Sequence, residues 1–298
     1  MSGSLKIDPQ VRARPKSDDS RGAASAQPRW PLSAVAVLLG LAAALIAAAT
    51  SVLGLAAPWP YAAETADWQL QARGQDLGNL LAVVVLLSSL PLLRRTRGAG
   101  LQLWVGSLLY LAYAFVIYAA GVHFGPLFLP YVAALGAASY ALILALTSGA
   151  LARIVVPRRA SSLSAWVVGL IGVAFALLWL SSIISDTLAG RTPAALELIG
   201  LPTNLVHVLD LALVIPAMLI AAFGVRRQGT APILGAWLVF SVLMSASIVA
   251  TLLLSAAPLA VVAALGSITA ASAVAAVVQF RAQASGVGQP DVGTAEHP

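Results

Sequence analysis

Residues 31–57 read PLSAVAVLLGLAAALIAAATSVLGLAA, a run without a single charged side chain. An α-helix rises about 1.5 Å per residue and needs about 20 apolar residues to cross a hydrocarbon layer roughly 30 Å thick, so this run can span a bilayer. It is too long for the apolar stretch of about 7–15 residues in a cleaved signal peptide, and it follows a long polar lead. The expectation is a retained membrane helix. Comparable runs recur at about 77–93, 101–123, 129–152, 163–184, 203–225, 231–254 and 257–280, separated by short segments rich in Arg, Gly and Pro. Eight crossings put both termini on one side. The fold class read from this pattern is all-α: a polytopic membrane helix bundle of about eight transmembrane helices.

Composition agrees. The 298 residues are 60% hydrophobic and 9% charged, whereas soluble domains average about 25% charged. A water-soluble globular protein is excluded. The absence of cysteine excludes disulfides, thiol redox chemistry, cysteine nucleophiles and thiolate metal sites. Residues 1–30 carry Lys6, Arg12, Arg14, Lys16, Arg21 and Arg29 among small and polar residues, which predicts a disordered basic tail. Residues 281–298 read as a second disordered tail, leaving 31–280 as the transmembrane bundle.

The basic residues set the orientation. Of the 17 lysines and arginines, only Arg73 and Arg191 fall on the face opposite the termini. Positive flanks stay cytoplasmic during insertion, so both termini are expected in the cytoplasm. The acidic residues outside the tails (Glu64, Asp67, Asp76, Asp186, Glu197 and Asp210) fall in outer segments or the outer half of a helix. The net charge of +6 is scattered over helix ends and a flexible tail, so no nucleic-acid partner is expected. Two outer segments exceed a tight turn. Residues 58–76 carry Trp59, Tyr61 and Trp68, which suit the headgroup zone, and in 185–202 the stretch Thr192 to Ile199 suits a short interfacial helix.

An ionisable side chain near the centre of a span costs at least about 2.5–3.5 kcal/mol against lipid, so it is expected to face the bundle interior. Asp210 lies roughly 12 Å down the axis from Pro202. Asn204, His207 and Asp210 are three apart and can face one neighbour, with Pro216 deeper in the span. Two readings follow. Either His207 and Asp210 form a coupled pair in an outward cavity, or Asn204 caps the helix and Asp210 bonds a Ser, Thr or Tyr of a neighbouring helix. Likewise Arg73, Asp76 and Asn79 can share a face, with Asp76 read either as a cap at a helix N-terminus paired with Arg73 or as a ligand group. Tyr110, Tyr113, Tyr118, Tyr131 and Tyr140 read first as packing, and His123 as a helix-end residue. Together, Asp76, His123, Tyr131, Asn204, His207 and Asp210 mark the outer ends of four spans and define a candidate outer polar pocket. No such set is expected in the cytoplasmic half.

Enzymatic chemistry finds little footing. Zinc hydrolysis needs about three protein ligands, and His297 of the three histidines lies in the tail. There is no Gly-x-Ser-x-Gly elbow, Walker A motif or dinucleotide fingerprint in a strand-to-helix context. No catalytic residue, cofactor or metal is assigned.

The runs Ala72-Arg73-Gly74-Gln75-Asp76-Leu77, Gly125-Pro126-Leu127-Phe128-Leu129-Pro130-Tyr131-Val132-Ala133, Ser139-Tyr140-Ala141-Leu142-Ile143 and Asn204-Leu205-Val206-His207-Val208-Leu209-Asp210-Leu211-Ala212 together resemble a family of uncharacterised bacterial multi-pass integral membrane proteins. The resemblance covers about residues 60–255 and carries no assigned activity. Gly125 stands where that family has Asn, and His207 where it has tyrosine, which counts against a mechanism requiring an imidazole there. The resemblance implies a bacterial cytoplasmic membrane. The expected role is binding or transport of a small molecule or cation, with the lipid bilayer as its solvent. Two alternatives stay open: a non-catalytic accessory subunit held by a membrane protein partner, and a metal-dependent membrane enzyme.

Overall fold

The computed structural model describes residues 31–95, 98–226 and 229–285; the basic stretch 1–30 and the end of the chain beyond 285 lie outside the described residues. Eight helices are long and apolar enough to cross a membrane, and among the described residues there is no strand. They are α1 (Ala34–Ala56), α2 (Ala66–Arg95), α3 (Gly98–Gly121), α4 (Phe128–Thr147), α5 (Arg158–Leu188), the composite span Leu205–Phe223, α9 (Ala231–Leu254) and α10 (Leu259–Ser285). The composite span contains α7 (Leu205–Leu209), a π-helical turn (Asp210–Val214) and α8 (Ile215–Phe223). Only helices can cross hydrocarbon as single segments, because each backbone N–H finds its carbonyl within the same segment. A short α6 (Ala194–Ile199) lies in the connection after α5, within the stretch read as interfacial, and ends on Gly200 at φ 69°.

Several boundaries differ from the sequence reading: α4 stops at Thr147 rather than 152, and α5 runs from Arg158 to Leu188 rather than over 163–184. The last helix runs on to Ser285, where the tail was expected from 281. More consequentially, α2 begins at Ala66, with the Thr65 hydroxyl accepting from the Trp68 N–H at 3.2 Å and Asp67 in its first turn. The polar run through Asp76 therefore belongs to the helix. Its side chains are tolerated because they face protein partners and a cavity.

The helices form two walls. α3 is the most enclosed span and packs against α2, α4 and α9, while α1 lies across α4 and α2. α5 packs on α8, α9 and α10, and α10 lies along α9. Small residues let these helices close up, as expected where dispersion rather than water drives association. A Cβ on Gly74 would lie 2.8 Å from the Cα of Thr251, so α2 and α9 touch backbone to backbone there. At Gly169 and Gly172 the neighbours are Ala222 and Leu219 of α8.

The alternation of spans creates two faces. One carries Arg94, Arg95, Arg153, Arg158 and Arg159; the other carries Glu64, Asp67, Asp186 and Glu197. These are called the arginine face and the acidic face below.

Candidate functional site

Helix α2 sorts the acidic half of the bundle, because residues four apart share a side. Trp68, Ala72, Asp76 and Asn79 point toward α1 and α3 and are buried. Asp67, Gln71 and Gln75 point toward a cavity on the other side.

On the first side lies a sealed clasp. The Tyr61 hydroxyl donates to Asp76 Oδ2 at 2.8 Å, and the Tyr118 hydroxyl lies 2.8 Å from Asp76 Oδ1 and 3.0 Å from the Ala72 carbonyl. Tyr131 packs against Tyr118 with the rings tilted and their centroids 5.0 Å apart. Burial, and then the Asp76 carboxyl beside it, push the Tyr61 phenol well above its ordinary value, so Tyr61 stays a donor. Asp76 is 1% exposed and sits ten residues into α2. The expectation of a cap at a helix N-terminus is therefore corrected: the true cap is Thr65. Nor does Arg73 pair with Asp76; its Nε is buried without a hydrogen-bond partner among the described residues. Tyr61 and Trp68, read as headgroup aromatics, are buried against protein instead.

The same clasp binds the acidic-face loops. Buried Glu64 receives the His123 backbone N–H at 2.7 Å and lies 2.9 Å from His123 Nδ1, while the Trp68 indole donates to the Gly121 carbonyl at 2.7 Å. Glu64 was not foreseen as a partner, since nothing local in sequence connects it to His123.

On the second side is a cavity of ≈ 510 Å³ between α2, α3 and α9 on one wall and α5, the composite span and α10 on the other. Residues of α6 form part of its roof, and it reaches the acidic-face ends of α2 and α9 at Asp67 and Ser255. Asp210 stands in its wall, held by the Tyr113 hydroxyl at 3.0 Å and the Trp179 indole N–H at 2.8 Å. Pro216 explains the local shape. Lacking an N–H and crowding the carbonyl of residue 212, it favours a widened turn, and the Ile215 N–H bonds back to the Asp210 carbonyl.

Of the two readings for this stripe, the hydrogen bonds follow the second. Asn204 caps α7 by accepting from Val206 and His207 N–H groups at 3.0 and 3.3 Å, and Asp210 bonds a neighbouring tyrosine rather than His207. The His207 ring lies 4.5 Å from that of Trp179. The six residues of the expected outer pocket are thus distributed: Asp76 and Tyr131 in the clasp, His123 on Glu64, Asn204 at a cap, His207 on Trp179, and Asp210 alone in the cavity wall. Among the described residues no three His, Asp or Glu side chains converge as a metal site would require.

The arginine-face half, where no polar set was expected, holds one. Gln102 donates to the Pro232 carbonyl at 2.9 Å, Gln283 to Gln102 Oε1 at 3.2 Å and Gln279 to the Ala231 carbonyl at 3.3 Å, and the Ser164 hydroxyl donates to Gln279 Oε1. It ties α3, α5, α9 and α10 together. Neutral amides inside apolar runs were its only sequence signal.

Eight apolar helices around a half-sealed interior define a multi-pass membrane protein. No family model, curated protein or solved structure matches this chain.

Proposed function

We propose that this protein binds a small molecule inside the membrane, in the cavity beside Asp210, and serves a binding or transport-related role in a bacterial cytoplasmic membrane with both termini inside. The observation that carries the reading is the cavity itself. At ≈ 510 Å³ it falls within the roughly 300–1,000 Å³ of small-molecule sites, and it is lined by apolar side chains with a few convergent polar groups. Asp210 supports it further, because a carboxylate in a span marks a ligand or ion path more often than a lipid contact. The clasp around Asp76 lies outside this site.

The test is binding of N-phenyl-1-naphthylamine, a neutral probe that brightens in apolar surroundings, to the full-length protein in neutral maltoside micelles, with empty micelles subtracted. Saturable binding that weakens in Ile248→Trp, whose larger indole takes up part of the cavity, is expected. Absence of saturable binding to the unsubstituted protein overturns the reading.

A further inference from the structure

The chemistry of the lining narrows the class of occupant, on the premise that the cavity binds a small molecule at all. Two carboxylates, Asp67 and Asp210, line the cavity, and no Lys, Arg or His does. Both oxygens of Asp210 accept hydrogen bonds, one from a phenol and one from an indole. An indole N–H can only donate, so Oδ2 is held as an acceptor. Neither donor carries a charge, and among the described residues Asp210 has no ion-pair partner. A carboxylate so placed, half-buried against a mainly apolar lining, lacks the counter-charge that an ion drawn out of water requires.

The remaining lining supplies what would attract a positive charge. Tyr113, Phe175, Trp179 and Phe240 present aromatic rings to the cavity, and ring faces hold cations most strongly where water is excluded. Met218 and Met244, both of the methionines beyond Met1, line it too. Their flexible thioethers adapt to bodies of differing shape. Anionic headgroups such as phosphate meet two carboxylates and no cation, so the lining opposes them.

We propose that the cavity takes a lipophilic cation: an apolar body carrying one positive centre, seated against the aromatic rings with its charge toward Asp210. The decisive probe pair is tetraphenylphosphonium and tetraphenylborate, which share size and shape and differ in charge sign. Equilibrium dialysis of each is run against the full-length protein in neutral maltoside micelles, with empty micelles subtracted. The phosphonium is expected to bind at least about tenfold tighter than the borate, since an unscreened charge pair near a protein surface exceeds the ~1.4 kcal/mol that tenfold represents. Asp210→Asn is expected to lower phosphonium affinity about tenfold or more, and by clearly more than it lowers N-phenyl-1-naphthylamine affinity, and Asp210→Glu to keep the cation preference. Equal or tighter borate binding, or unchanged phosphonium affinity in a well-folded Asp210→Asn, overturns the cation inference while the neutral probe still reports a binding cavity. If neither Asp210 variant is monodisperse, the phosphonium-to-borate ratio of the unsubstituted protein decides alone. Absence of saturable binding of the neutral probe removes the binding reading itself.

Discussion

The indole of Trp179 donates its N–H to Asp210 at 2.8 Å while its ring lies 4.5 Å, centroid to centroid, from the imidazole of His207. One side chain of α5 therefore contacts both ionisable positions of the composite span. It joins the two side chains at the edge of the cavity, and they share no hydrogen bond with each other.

Trp179→Phe keeps a ring against His207 and removes the donor to Asp210. Hydrogen bonds between membrane helices average about 0.6 kcal/mol and reach about 1.7. A loss of that size is expected in unfolding followed by thermal or denaturant titration in micelles. Unchanged stability would show that the indole N–H contributes nothing to holding Asp210.

At the clasp, replacement chemistry separates hydrogen bonding from shape. Asp76→Leu leaves the Tyr61 hydroxyl facing an apolar group, while Tyr118 keeps the Ala72 carbonyl, at a cost of about 1–3 kcal/mol for the buried group left unsatisfied. Asp76→Asn retains an acceptor for one phenol and offers an N–H to the other. The asparagine variant is expected to be clearly the more stable of the two in size-exclusion and thermal assays; equal destabilisation would argue that packing alone matters there.

The approach of α2 to α9 depends on a missing side chain. A Cβ at Gly74 would fall 2.7 Å from the Thr251 backbone nitrogen, whereas one at Gly136 of α4 meets nothing within 4 Å. Gly74→Ala is expected to cost about 1–3 kcal/mol through overpacking. Gly136→Ala should be neutral or gain up to about 1 kcal/mol from helix propensity. A reversed order would contradict the backbone contact.

The orientation proposed from the arginines can be read chemically, because the chain has no cysteine of its own. With the arginine face in the cytoplasm, Thr192→Cys on the opposite face reacts with an impermeant maleimide in intact cells. Val155→Cys, on the arginine face and 82% exposed, reacts only after permeabilisation. The inverse labelling pattern would invert the topology.

Helix number, span positions, the short α6 and the Asn204 cap were legible in the chain because each depends on neighbours within a turn or two. Apolar length sets a crossing, and an Asn side chain reaches only the N–H groups just beyond it. The partners of Asp76 and Asp210 were not legible. Tyr113 lies 97 residues from Asp210, Trp179 lies 31, and Tyr118 lies 42 from Asp76. Spans that are apolar almost all round give little indication of which side each turns inward. That rotation is decided by close packing at positions such as Gly74 and by distant polar partners. It is why α2 divides its polar residues between a sealed clasp and an open cavity.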